Sequence, residues 1–411
     1  MSGGTSPHGE FRDGWPVVLA ATLGIAFGLP TLLFYTLGLI GPELVRQFGW
    51  SHTAVHGGLT VLMTSLVLLA PVAGWLATQF GARTCIAFSQ AALGLAMMSF
   101  ALLQNSLPQY YAMWILTAVV GAAATPAVIT LPLVRQFVQR RGLALGLALL
   151  GTGLFAMTMK PVVAYALTTI GWRWTYVALG CLPILIGLPL TLWSLRNRAV
   201  ASARGVASQT ASNTSDTTGL TLPETLRNWR FWLLTIAFLP CALTLAGILP
   251  HIEGVMLSLN FGWDASVTAG AAIGGALMTG RLVCGFLIDR LWAPGVGAAI
   301  LVLAAAGNWM LSGTDSFATA LTAAVLIAFA GGAEYDLVGY LVSRYFGTRS
   351  YAAISGSLFA VFTLGGGVGP LLYARAVDAT GSYRIPLIVT AAVLLATTVP
   401  LLCLGRYRTF R

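Results

Sequence analysis

Apolar residues run almost without interruption for twenty or so positions at a time along the 411-residue chain, and short polar stretches rich in arginine, glycine and proline separate the runs. A bilayer core of about 30 Å is crossed by about 20 apolar residues in helix, because backbone groups in lipid must bond within their own segment. Twelve runs qualify. The first six are Trp15 to Ile40, Thr53 to Thr78, Arg83 to Leu103, Gln109 to Val134, Leu143 to Ile170 and Trp174 to Leu195. The second six are Phe231 to Leu257, Ala265 to Ile288, Ala293 to Leu311, Phe317 to Val342, Tyr351 to Val377 and Ile385 to Leu404. Between the groups, Arg196 to Asn228 is rich in Ser, Thr, Ala and Arg and lacks the apolar content of a span or a core, so it reads as a flexible linker. The pattern therefore predicts an all-α membrane protein of twelve transmembrane helices, divided into 1–195, a linker over 196–228, and 229–411.

Composition removes the soluble alternatives. Charged residues make up 8% and hydrophobic ones 57% of the chain, against roughly 25% charged in a soluble domain. The net charge of +10 does not point to nucleic acid, since the basic residues flank the apolar runs instead of clustering on one surface. They do fix an orientation, because loops on the cytoplasmic side carry the excess of Lys and Arg. With the N-terminus inside, sixteen of the 22 basic residues fall on the cytoplasmic side, and Arg46, Arg173, Arg375 and Arg384 fall outside. Both termini and the linker are expected in the cytoplasm of a multi-pass inner (plasma) membrane protein. The first apolar run is longer than a signal-peptide core and reads as a retained helix. The five cysteines are scattered, with no C-x-x-C spacing, and read as packing residues.

The remaining two basic residues, Lys160 and Arg281, lie inside spans. An ionisable group at mid-bilayer costs at least about 2.5 to 3.5 kcal/mol, so it is expected to face a cavity or a partner. Arg281 lies nine residues before Arg290, about 14 Å deep at the helical rise, and Lys160 eleven before Gly171, about 16 Å deep. Lys160 is the chain's single lysine and precedes Pro161, whose ring frees a backbone carbonyl. Its ammonium can hold an anion or yield a proton; Arg281 stays charged and offers a fork that matches a carboxylate. Structural ion pairs are the competing reading, with Glu334 or Asp336 as partners of Arg281. Glu334, ten residues before Arg344 and about 15 Å deep, is either a proton carrier or that counter-ion, and Asp336 more plausibly braces a neighbouring helix. His251 and Glu253 sit towards the outer end of the seventh span, where water is near. Tyr35 and Tyr340 could donate to a carboxylate from a cavity wall. Gly142, Gly146, Gly270, Gly274 and the Gly365 to Gly367 cluster with Gly369 suit close helix packing, and no metal, phosphate or hydrolase motif is present.

Short motifs add a resemblance. Gly74-Trp75-Leu76-Ala77-Thr78-Gln79-Phe80-Gly81-Ala82-Arg83 resembles the loop between the second and third helices of the major facilitator superfamily, with Thr78 where the acidic residue is usual. Gly285-Phe286-Leu287-Ile288-Asp289-Arg290 is its second-half counterpart and keeps the Asp. Asp13-Gly14-Trp15, Gly49-Trp50-Ser51, Arg141-Gly142-Leu143-Ala144-Leu145-Gly146, Gly171-Trp172-Arg173 and Arg344-Tyr345-Phe346-Gly347 look like members of the monocarboxylate transporter and oxalate/formate antiporter group. The resemblance implies two six-helix bundles related by a pseudo-twofold axis. It also implies gating roles for Asp289, Arg290 and Arg83, and a substrate-binding role for Arg281 in Gly280-Arg281-Leu282. In that fold the fifth and eighth helices would flank a central cavity, so Lys160 and Arg281 would repel across it until an anion bridges them.

The expectation is a secondary transporter of a small organic anion, acting as a monomer without cofactor or metal. Arg281, Lys160, Tyr35 and Tyr340 would bind the substrate, and Glu334 or Lys160 would exchange a co-transported proton. An organic-anion exchanger, or an importer of a larger anionic compound such as an aromatic acid or siderophore, uses the same cationic site. A cation/proton antiporter would want a mid-span acid in the first six helices, which have none. A membrane-embedded enzyme is the alternative of a different class.

Overall fold

The computed structural model describes residues 7–137, 141–195, 219–347 and 349–407. Most of the expected linker, 196–218, lies outside the described residues, as do Arg140, Arg198, Arg204, Arg408 and Arg411. The rest is helix. In the first half these are α1 (Pro7–Ala26), α2 (Leu29–Phe48), α3 (His52–Gln79), α4 (Ala82–Ser99), α5 (Leu107–Gly121), α6 (Pro126–Ile129), α7 (Leu131–Gln136), α8 (Arg141–Leu149), α9 (Gly151–Leu182) and α10 (Leu188–Ser194). The second half has α11 (Leu222–Leu226), α12 (Trp229–Ile248), α13 (Ile252–Ser258), α14 (Trp263–Ile288), α15 (Ala293–Leu311), α16 (Phe317–Phe346), α17 (Tyr351–Thr380) and α18 (Arg384–Leu402).

Eleven helical segments among the described residues are long and apolar enough to cross a membrane. One of them, Leu143–Ser194, has 52 residues and breaks at Gly171, whose φ of 75° and ψ of 167° are not helical. Only glycine takes that conformation readily, so the segment makes two crossings and the total is the expected twelve.

Several crossings are broken, and each break has a local cause. The first crossing interrupts between α1 and α2, where the Leu29 N–H, left without a helical partner, donates to the Ala124 carbonyl at 3.0 Å. A Cβ at Gly28 would lie 2.7 Å from that same carbonyl, so the approach requires glycine. The seventh crossing breaks at Pro250, which supplies no N–H; a single 3₁₀ turn, Leu249–His251, joins α12 to α13. Irregular backbone at membrane depth is tolerated where protein buries it or a cavity receives it.

The helices form two compact units. One holds α1 with the first turns of α2, then Ser65–Phe155, then α9 from Val162 and α10. Its core is apolar, built on Ile25, Val128, Ile129, Leu133, Phe137 and Ala144. The other holds Leu37–Thr64, Ala156–Pro161 and everything described after the linker. It thus takes the C-terminal six crossings together with parts of α2, α3 and α9. Polar contacts explain that membership: Asp378 of α17 accepts from the backbone N–H groups of His52 and Thr53 at 3.1 and 2.8 Å and caps α3. Deeper in the same unit the Thr60 hydroxyl donates to the Gly367 carbonyl at 2.7 Å.

Candidate functional site

Lys160 lies on α9 immediately before Pro161, and its ammonium ion-pairs with the carboxylate of Glu253, in the first turn of α13. Both side chains are almost wholly buried, 1% and 0% exposed. The carboxylate is clasped between two helices at glycines. A Cβ on Gly38 of α2 would strike Glu253 Oε2, and one on Gly270 of α14 would lie 2.5 Å from Oε1 and 3.1 Å from the Lys160 Cδ. The pair therefore fits only where α2 and α14 carry no side chain. Oε2 is buried and makes no hydrogen bond.

Beside this pair, two histidine rings stack. His56 of α3 and His251 of the 3₁₀ turn are 3.9 Å apart between centroids and 15° from parallel, and both are buried. His251 Nε2 lies 2.9 Å from the Pro370 carbonyl, so Nε2 carries the hydrogen and Nδ1 accepts from the Tyr383 hydroxyl at 3.4 Å. His56 Nδ1 donates to the His52 carbonyl at 3.1 Å. Its Nε2, on the side of the Pro250 carbonyl, makes no hydrogen bond of good geometry. The Tyr373 ring also stacks on His251, at 5.8 Å, its hydroxyl bonded to Thr390.

Arg281 stands on α14, eleven residues beyond Gly270. At the helical rise its Cα lies about 16 Å further along the axis than the level of the Lys160–Glu253 pair. Its Nε is 3.4 Å from Asp336 Oδ2 on α16, and the two side chains are 14% and 30% exposed. The helices α14 and α16 meet there at glycine: Gly280 packs on the Phe329 backbone and Gly332 on the Leu277 backbone.

These placements alter several expectations. The two mid-span cations do not face each other bare; each has a carboxylate, and they lie at different levels of α14. Glu334 is not the counter-ion of Arg281, because a helical step of two residues turns it to the opposite side of α16 from Asp336. Glu334 instead enters the C-terminal bundle, where it lines a small cavity with Cys241, Phe238, Leu301 and Leu337. His251 and Glu253 are not at a watery helix end, because α2, α3 and α9 cover them.

Tyr35 is half-buried and packs edge-on against Phe34 at 5.2 Å. Tyr340 is half-buried too, with the Arg344 guanidinium 5.9 Å from its ring centre. Among the expected gating residues, Arg83 donates to the Leu192 carbonyl at 3.3 Å, Arg290 covers the Phe286 ring at 3.6 Å, and Asp289 caps the end of α14. No group of three metal-ligating side chains occurs among the described residues.

Residues 22–370 match the sequence profile of the Major Facilitator Superfamily, which covers most of the chain. The chain belongs to the major facilitator superfamily. As a superfamily member it is similar to human monocarboxylate transporter 11, with 28% identity over 95% of this chain and 83% of the relative. It is also similar to the 2-nitroimidazole transporter of Escherichia coli, with 27% identity over the whole of both chains. Among solved structures, the nucleoside transporter NupG matches with a TM-score of 0.71, over 97% of this chain and 100% of NupG at 12% identity. This last likeness concerns the fold. The superfamily fold accounts for the twelve crossings, and the named relatives are transporters.

In this superfamily member the sequence reading missed the role of Glu253 as partner of Lys160 and the stacking of His56 on His251. A signal for the first was present. Of the twelve acidic residues only Glu253, Glu334 and Asp336 fall inside the apolar runs, and a buried ammonium needs one of them. Nothing in the order of residues pairs His56 with His251, which are 195 positions apart.

Proposed function

We propose that this protein is a proton-coupled secondary transporter of a small organic anion, monocarboxylate-like in chemistry, working by alternating access in the inner (plasma) membrane with both termini inside. The observation that carries the reading is the state of Arg281. A guanidinium keeps its charge in any surroundings, and this one sits mid-span, partly exposed, with its Asp336 contact at 3.4 Å. A tight charge-assisted bond would measure about 2.7 to 2.9 Å. A ligand carboxylate that approaches from the exposed side competes with Asp336 for the same cation. Asp336 serves as stand-in counter-ion when the ligand leaves, which limits the cost of a bare charge at that depth.

The likeness to a human monocarboxylate transporter supports the substrate class, while the nitroimidazole relative marks how far substrates diverge at this level of identity. Exchange of one anion for another uses the same contact, and counterflow that ignores pH would identify it.

The test is a thermal-shift screen of the purified protein against mono- and dicarboxylic acids, repeated on Arg281→Gln. A ligand at 100 times its Kd should stabilise the parent by about 2.7 kcal/mol and leave the variant unchanged. Equal stabilisation of both proteins, or no response of the parent to any acid, contradicts the reading.

A further inference from the structure

We infer that the stacked rings of His56 and His251 form an acid-sensitive latch: the pair holds the His52 end of α3 on the C-terminal helices with at most one proton between the two rings, and a second proton releases it. The inference goes beyond the anion-transport reading and holds for any cargo.

The first turns of α3 are fastened at three levels within one compact unit. Asp378 of α17 caps the helix at His52 and Thr53. One turn further in, the His56 ring lies on the His251 ring, 3.9 Å between centroids. At the next turn the Thr60 hydroxyl donates to the Gly367 carbonyl at 2.7 Å, and a Cβ on Gly367 would lie 2.6 Å from the Met63 Cβ. The spacing 52, 56, 60 sets these contacts along one face of α3, so they part together when that face leaves α17. A hydroxyl bonded to a carbonyl and a glycine contact do not respond to mild acid, whereas imidazoles do.

The geometry sets how many protons the latched pair accepts. His251 donates from Nε2 to the Pro370 carbonyl and His56 from Nδ1 to the His52 carbonyl, which leaves one nitrogen on each ring. His56 Nε2 is buried, makes no hydrogen bond and lies on the side of the Pro250 carbonyl. A first proton there replaces an acceptor turned on an acceptor by a donor. A second proton, on His251 Nδ1, makes both buried rings cations 3.9 Å apart, where like charges repel far more strongly than in water. Separated and hydrated, each ring takes its own proton with the ordinary imidazole pKa of about 6.5. The released state thus binds one proton more than the latched state, and falling pH favours it by up to about tenfold per pH unit.

The charged and titratable neighbours of the stack come from several helices. His52 faces it from the start of α3, Asp378 and Tyr373 from α17, and Tyr383 from the start of α18. Glu253, two residues after His251, is paired with Lys160 of α9, and Glu43 of α2 with Arg46. Arg375 of α17, Arg384 of α18 and Asp264 of α14 are exposed.

The test reads the movement of α3 and needs no substrate. Spin labels on cysteines introduced at Ser51, just before α3, and at Gly313, between α15 and α16, report the separation by pulsed electron paramagnetic resonance in the full chain with its native cysteines replaced; both sites are exposed. From mildly alkaline to mildly acidic pH, the ratio of the longer to the shorter distance should grow by up to about tenfold per unit in the parent. Asp378→Asn, which keeps a capping side chain, and Lys160→Met/Glu253→Met should show the same rise. His251→Gln leaves a single ring with no positive neighbour and should show none. Should that variant fail to fold, His56→Asn removes the other ring of the stack and should also show none. The inference is overturned when the distances in the parent ignore pH, when a folded histidine variant keeps the rise, or when Asp378→Asn or Lys160→Met/Glu253→Met loses it. Distances that ignore pH in a protein stabilised by organic acids would remove the latch and leave the anion reading standing. An acid-driven separation in a protein that binds no organic acid would do the reverse.

Discussion

Lys160→Met is expected to lower stability by about 3–5 kcal/mol, because it strands the Glu253 carboxylate in a buried position with no cation. The carboxylate is 0% exposed and enclosed by α2 and α14 at Gly38 and Gly270. The double variant Lys160→Met/Glu253→Met should recover most of the loss, since apolar residues of similar volume replace a buried ion pair at little cost. Denaturant unfolding of the parent, the two single variants and the double variant in detergent gives the full cycle. A Lys160→Met protein as stable as the parent would show that the pair is not the buried contact described above.

A wedge between α14 and α16 should have the second largest effect. Gly332 packs directly on the Leu277 backbone and Gly280 on the Phe329 backbone, so Gly332→Val places two methyl groups where a carbonyl already stands. Forcing extra carbons into packed helices costs about 1–3 kcal/mol, and the only relief is to move the helices apart. That separation also draws Arg281 away from Asp336, its competitor for a ligand carboxylate, so ligand stabilisation in the organic-acid screen should be kept or rise while stability falls. Gly285→Ala provides the control on the same helix, because nothing lies within 4 Å of a Cβ built there. It should leave both quantities unchanged or raise stability slightly. Equal behaviour of the two variants would contradict the packing argument.

The run lengths alone gave the twelve crossings, because the bilayer imposes its thickness on any helix that spans it. Even the break between the fifth and sixth crossings was marked, by Gly171 before Trp172-Arg173, although helix runs almost continuously through it. The candidate site was legible in part for the same reason: charges are so costly in lipid that Lys160, Arg281, Glu334 and Asp336 stand out from the apolar background. Their pairing was not legible. Depth along one helix says nothing about which helix lies opposite, and a separation of two residues on α16 decided that Asp336 rather than Glu334 meets Arg281. Glu253 stands near the end of its apolar run, where water is the usual neighbour, so its position along the chain does not mark it as buried. Its burial depends on parts of α2, α3 and α9 packed in the same unit, through contacts between residues more than ninety positions apart.

The decisive measurement is uptake of a labelled organic acid into lightly buffered liposomes that contain the full chain, with the external pH followed at the same time. Entry of the anion should be accompanied by alkalinisation outside and accelerated by external acid, and both signals should vanish in Arg281→Gln. Uptake that proceeds with no movement of protons, or at an unchanged rate in Arg281→Gln, would contradict an anion held by that arginine and carried together with a proton.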